Sequence, residues 1–265
     1  MKKLLTLVAS LTVVMAIAVA PSGAVTHGEL DGNNHPYVGL MIAKDANGTP
    51  MWRCSGTLLS PTLFLTAGHC TEAPTASVEI WFYNNEAQIR ASGYPRTGQV
   101  SGTPYVHPDY DPNAFYLRDL GAVVLDTPFP MAQYGKLPQL NELERMNNQR
   151  GQQDVTFTAV GYGLQRINPV FVEARLDRMY ATPKLNQINT GLVGDFSLLL
   201  SNNASTGGTC FGDSGGPNFI GTSNVVGGVT SFGLNGTCGG TGGVFRMDRS
   251  WSLNWINDTF AAHLP

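Results

Sequence analysis

Charge is scarce in this sequence. Asp, Glu, Lys and Arg make up 13% of its 265 residues, about half the usual share of roughly 25%. The little charge present is not basic, with 16 Lys and Arg against 19 Asp and Glu. A nucleic-acid binder shows a basic stripe or patch; none is legible here, and no nucleic-acid partner is expected. Metal-ligand spacings are missing too. The chain has four cysteines and five histidines, but no C-x-x-C and no H-x-x-x-H to set two ligands on one turn or helix face. Glu72, Glu79 and Glu86 are scattered carboxylates that read as solvated surface. No metal and no cofactor is expected. Helical periodicity is confined to the end, where Trp251, Trp255, Ile256 and Phe260 predict one short terminal helix.

Long apolar runs are lacking after residue 24, and the first one reads as a targeting segment. Lys2 and Lys3 precede the apolar stretch Leu4 to Ala20, and Ser22-Gly23-Ala24 supplies small residues at a cleavage site. Residues 1–24 are therefore expected to be a signal peptide. A membrane anchor is the alternative for a run of this length, and the small-residue exit favours cleavage. A cut after Ala20 is disfavoured because Pro21 would follow the scissile bond. Losing Lys2 and Lys3 leaves 14 basic residues against 19 acidic ones, a net charge of about −5. The mature chain is expected to be secreted and extracellular, free of the membrane and monomeric. Asn47, Asn203, Asn235 and Asn257 each begin an N-x-Ser/Thr acceptor, which turn chemistry explains equally well.

Four cysteines in an exported chain point to disulfides. Of the three pairings, Cys54 with Cys70 and Cys210 with Cys238 is the most local. A closed loop of about 15 residues contributes roughly 3 kcal/mol in the chain-entropy view. The 31 glycines, with many Pro and Asn, predict short strands joined by turns. Tyr37 to Ile42, Leu58 to Ala67, Val78 to Tyr83, Leu120 to Leu125, Val155 to Gly161 and Val225 to Thr230 read as buried strands. Such spacing without helical segments predicts an all-β barrel or sandwich. From Asp126 to Asp154 the pattern weakens around Pro128, Pro130 and Pro138, which marks a linker between two halves.

Three segments carry chemistry. Ser214 stands in Gly212-Asp213-Ser214-Gly215-Gly216-Pro217. Small neighbours let a carbonyl approach the hydroxyl, and the amides of Gly212 and Ser214 are candidate oxyanion donors. His69 follows the apolar Leu65-Thr66-Ala67-Gly68, and the adjacent Cys70 would pin its turn. It is the candidate base; His27, His35, His107 and His263 have weaker settings. Asp119 opens the apolar run Leu120 to Leu125 and is the candidate orienter of that base. Capping, or pairing with Arg118, would explain it as well.

Together, Thr66-Ala67-Gly68-His69-Cys70, Asp119-Leu120-Gly121-Ala122-Val123 and the segment around Ser214 resemble the trypsin/chymotrypsin-like serine proteases in order and spacing. Cys54 to Leu59, Gly161-Tyr162-Gly163, Ser231-Phe232-Gly233 and Asn254-Trp255-Ile256 extend the resemblance over nearly the whole mature chain. It implies two six-stranded antiparallel β-barrels, residues 25–137 and 138–265, with the site between them and a short C-terminal helix. It implies catalysis by His69, Asp119 and Ser214 through an acyl-enzyme, with polypeptide substrates and proteinaceous inhibitors as partners. It also implies that a freed Val25 amine would pair with Asp213. The primary specificity pocket would involve Gly208, Thr209, Ser231, Phe232, Gly233 and Gly243. Gly208 stands where a trypsin needs aspartate, so apolar or aromatic side chains are expected before the cleaved bond, rather than Lys or Arg. Gly212-x-Ser214-x-Gly216 also fits the nucleophile elbow of α/β-hydrolases, but that fold needs its acid and histidine after the serine, and only His263 follows. The remaining alternative is a catalytically silent binding protein on the same fold.

Overall fold

The computed structural model describes residues 25–146, 155–168, 170–189 and 191–265. The expected signal peptide, residues 1–24, and part of the expected linker, 147–154, lie outside the described residues. After a two-residue strand β1 (Glu29–Leu30), six strands form a closed antiparallel barrel: β2 (Val38–Lys44), β3 (Pro50–Leu58), β4 (Leu63–Thr66), β5 (Ser77–Trp81), β6 (Val100–Val106) and β7 (Gly121–Leu125). The ring runs β2-β3-β4-β7-β6-β5 and closes by β5 pairing back to β2. Met41, Leu58, Phe64, Ile80 and Val123 share one buried face of this ring, and Leu40, Leu65 and Ala122, also buried, lie on the other. The predicted strand Leu58 to Ala67 is two strands. Ser60 breaks it: its Oγ accepts the amides of Thr62 (3.2 Å) and Leu63 (3.0 Å), stabilising a turn before Pro61 can continue the ladder.

The second half contains β8 (Phe157–Gly161), the exposed hairpin β9 (Arg166–Asn168) and β10 (Phe171–Glu173), β11 (Met179–Ala181), β12 (Leu185–Ile188), β13 (Ser197–Asn202), β14 (Pro217–Ile220), β15 (Val226–Gly233) and β16 (Gly240–Arg246). Its sheet runs β1-β11-β8-β14-β15-β16-β13-β12. Pro183 has no N–H to give a ladder, so β11 and β12 are one strand broken there, each piece paired to a different neighbour. Around the break, the amide of Phe157 donates to Pro183 O (2.9 Å) and that of Leu185 to Val155 O (2.9 Å). Counting β11–β12 as one bent strand, six strands curl into the second barrel, with β1 added at the edge. The chain ends in a helix (Ser250–Thr259), which buries Ile256 and sets Trp255 edge-on against Phe260 at 5.3 Å. Among the described residues no helix is long and apolar enough to cross a membrane.

A buried charge network ties the two halves together. Arg178 and Asp31 are fully buried and joined at 2.9 Å. The same guanidinium donates to the carbonyls of Val38 (3.1 Å) and Phe82 (3.0 Å) in the first half and to the Tyr162 hydroxyl (3.2 Å) in the second. Tyr162 in turn donates to Tyr83 O at 2.8 Å. With Nη2 donating to Asn33 Oδ1 at 2.6 Å, each nitrogen of this buried cation meets an oxygen, which is what makes its burial tolerable.

Candidate active site

The antiparallel pairing of β4 with β7 sets Thr66 opposite Gly121. That register brings the residues just beyond β4 beside those just before β7, although they are 50 apart in sequence. His69 lies on a one-turn helix α1 (Gly68–Thr71), which Cys70 ties to Cys54 of β3 through a disulfide. The other disulfide joins Cys210 and Cys238, so both local pairings form. The two sulfurs near His69 are thereby unavailable as thiolate ligands.

Asp119 is fully buried and gripped by three donors. Its Oδ1 accepts the amide of His69 (2.9 Å), and its Oδ2 lies 2.9 Å from His69 Nδ1. Ser231 Oγ also donates to Oδ2, at 2.5 Å. Arg118 turns away and lies over the Trp251 ring at 4.5 Å, so the alternative pairing with Asp119 does not form. Burial alone would push the His69 pKa down. The charge and hydrogen bond of Asp119, helped by Glu72, outweigh it and hold the ring above 6.5.

Two strands clamp the Ser214 loop from opposite sides. From β3, the amide of Ser55 donates to Ser214 O (2.8 Å) and its Oγ to Gly212 O (2.9 Å). From β15, Thr230 O accepts the amide of Gly215 at 2.8 Å. The loop demands glycine at 215: φ is +77°, and a Cβ there would lie 2.0 Å from Thr66 Oγ1. Asp213 spends its amide on Cys210 O and Gly215 on Thr230 O, whereas those of Gly212 and Ser214 meet no acceptor among the described residues. His69, Gly212 and Ser214 line one cleft of about 630 Å³. No hydrogen bond links Ser214 Oγ to the imidazole among the described residues; such contacts often tighten only when substrate is bound.

Asp213 lies beneath that loop. Its carboxylate accepts the amides of Gly163 (2.7 Å) and Cys210 (2.9 Å). Burial nevertheless pushes its pKa up to about 7, against those two bonds and the charge of Arg53. Val25 is buried on Met179 and Ala181, and its carbonyl accepts from Gly28 at 2.8 Å. Its nitrogen here is a peptide amide joined to Ala24. No contact brings Val25 to Asp213 among the described residues.

The expected pocket residues divide. Thr209, Ser231, Phe232 and Gly233 line the cleft. Gly208 and Gly243 are buried and do not. The Asn202 side chain packs on Gly208, with its Cγ 2.3 Å from where a Cβ would stand. Asn202 is held there by a bond from Thr26 Oγ1 (2.6 Å) and one to Thr209 O (2.7 Å). Gly243 lies under the Phe232 ring, 2.3 Å from a would-be Cβ, while Gly242 faces Thr209. The cause is a register shift between Thr230 and Phe232, which sets Phe232 opposite Gly243. Because side chains alternate faces, this register turns Gly243 under the ring and Gly242 towards Thr209, and both are buried. Ser55, Asn202 and Gly242 had no motif to announce them. The three glutamates considered for an ion are separate: Glu79 pairs with Lys44, Glu86 with Arg90, and Glu72 lines the cleft.

The family model described as Trypsin matches residues 26–256. The chain belongs to the trypsin family. Chymotrypsin from Phaedon cochleariae is 28% identical to it over 246 residues, covering 90% of this chain and 83% of that protein. Ovochymase from Halocynthia roretzi is 29% identical over 231 residues, which is 77% of this trypsin-family chain and 13% of that much longer protein. In fold it is similar to HL collagenase, with a TM-score of 0.67 at 20% identity, covering 86% of this chain and 94% of that one. It is likewise similar to human heparin binding protein, with a TM-score of 0.65 at 18% identity, covering 89% and 97%.

Proposed function

We propose that this trypsin-family chain is a secreted serine endopeptidase that hydrolyses peptide bonds through an acyl-enzyme. The observation that carries the reading is Asp119, buried and fixed on both the ring and the amide of His69, in the cleft that holds Ser214. His69 Nε2 takes the hydroxyl proton as Ser214 Oγ attacks the substrate carbonyl. The amides of Gly212 and Ser214 receive the oxyanion. The imidazolium then gives its proton to the leaving amine, and water repeats the sequence on the ester. Asp119 stays ionised throughout and stabilises the imidazolium.

The same fold carries binding proteins, as the similarity to heparin binding protein illustrates. Catalysis is favoured because the acid, base and nucleophile are all retained. For the residue before the cleaved bond we infer an apolar side chain. Gly208 lies behind the lining, and an aspartate there would collide with Asn202. Thr209, Phe232 and Gly233, which line the cleft there, are uncharged and suit apolar groups. The test is a panel of secreted wild type and Ser214→Ala on peptides that differ before the scissile bond. Turnover of apolar peptides that drops by on the order of 10⁶-fold in Ser214→Ala is expected. Equal turnover by the two proteins, or none by either, refutes catalysis; cleavage after Lys or Arg refutes the pocket reading.

Maturation belongs to the same proposal. Cleavage after Ala24 would turn the Val25 amide into an ammonium, and Asp213, whose charge burial disfavours, is the carboxylate it would meet. That ion pair would stiffen the loop carrying Gly212 and Ser214. N-terminal sequencing of secreted protein is expected to begin at Val25; any other start overturns this step.

A further inference from the structure

We infer that Arg53 determines specificity on the leaving-group side of the cleft, where it receives a carboxylate of the substrate; this rests on the peptidase reading above. Arg53 lies in β3, half-buried, and lines the cleft beside Trp52. Its Nε and Nη2 stand 2.9 and 3.2 Å from where a Cβ on Gly212 would be, so the guanidinium occupies space that only glycine leaves open. Other arginines, among them Arg90, Arg178, Arg246 and Arg249, hold carboxylates at 2.9 Å or less. The Arg53 side chain makes no hydrogen bond or ion pair among the described residues, and its charge acts only at longer range on the buried Asp213. A guanidinium is always charged and offers a planar fork of donors that fits a carboxylate.

Its position gives the side. The bond from Ser55 to Ser214 O places β3 on one flank of the nucleophile, and the bond from Gly215 to Thr230 O places β15 on the other. The residues assigned to the acyl half, Ser231 and Gly233, lie on β15. A peptide that runs from them across Ser214 leaves past Arg53. Among the residues lining the cleft, Arg53 is the one permanent cation and Glu72 the one carboxylate, and Glu72 is engaged by the Tyr110 hydroxyl. On a chain with an acidic balance, such a lone cation is where an acidic segment would be captured.

The test uses peptides with one acyl half and Glu, Gln or Lys in the positions after the scissile bond, together with pairs ending in a free carboxylate or an amide. For wild type, kcat/KM for Glu over Gln is expected to be about tenfold, as one charge-assisted hydrogen bond gives. The ratio should approach one in Arg53→Gln, be partly kept in Arg53→Lys and invert towards Lys in Arg53→Glu. The arm with the larger ratio identifies a side-chain or a terminal carboxylate. Fluorescence anisotropy of the same peptides, labelled, on the Ser214→Ala background should give the same order without turnover. An unchanged Glu/Gln ratio in Arg53→Gln overturns the inference. So does a uniform loss on all peptides, which would mean that Arg53 serves only to offset Asp213. If binding keeps the order while no Ser214-dependent hydrolysis occurs, the peptidase reading fails and the carboxylate site stands.

Discussion

Replacing Asp119 by asparagine is expected to lower kcat by on the order of 10⁴-fold while the protein still folds. The carboxylate accepts from the His69 amide, the His69 ring and Ser231 Oγ, with no solvent to replace it. An amide nitrogen facing Nδ1 would force the ring to accept there, which puts its proton on Nε2, where Ser214 needs a free lone pair. The pH profile carries a second signature. In wild type the His69 pKa is held above 6.5, because the charge of Asp119 outweighs burial. The base must be neutral, so kcat/KM should fall as pH drops through that raised pKa. In Asp119→Asn only the charge of Glu72 is left to oppose burial, and the acidic limb should move to lower pH. Rate profiles of both proteins on one apolar peptide measure this. An acidic limb at the same pH in both, or a loss of only a few fold, would show that Asp119 does not control the ring.

Removing Asp31 is the change expected to cost the most stability. Asp31→Ala would strand the fully buried Arg178 without its carboxylate. Breaking one partner of a buried pair costs about 3–5 kcal/mol, which for a chain of this size lowers Tm by roughly 6–20 °C. The double variant Asp31→Leu with Arg178→Met should recover most of that, since it removes the stranded charge together with its partner. The sign of the pH dependence follows from the Asp31 pKa. Burial raises it, but His35 and Arg178 pull it below 3.8. The stability is therefore present above the unfolded value and is lost as pH falls through the folded one. Thermal melts in oxidising buffer between neutral pH and pH 3 check both statements. A single variant that melts like wild type would mean that the carbonyls around Arg178 suffice.

The linear chain announces what depends on local chemistry. Residues that must be small, reactive or covalently tied stand next to one another: Gly212 to Gly216 around Ser214, and His69 beside Cys70. Alternating and continuous apolar runs foretold β2, β5, β7, β8 and β15 within a residue or a few, because those strands bury side chains that water rejects. The glycine-rich β16 and the polar-flanked β13 escaped notice, since their place in the sheet is set by neighbours rather than by their own residues. The turn at Ser60 and the break at Pro183 depended on single residues acting against a run that otherwise reads as strand.

The site divides along the same line. Sequence by itself named the candidate acid, base and nucleophile and their order, since the proposed chemistry needs each of them. Only the tertiary structure decided how they are held. The β4–β7 register places Asp119 under His69, Ser231 crosses from the other barrel to the same carboxylate, and Ser55 clamps the loop of Ser214. The pocket shows the reason most sharply. A motif read along the chain placed Gly243 in the pocket, but one bulge between Thr230 and Phe232 turned it under a ring and set Gly242 against Thr209. A strand's faces alternate with every residue, so which side a glycine opens is a property of register, and register is fixed by the partner strand.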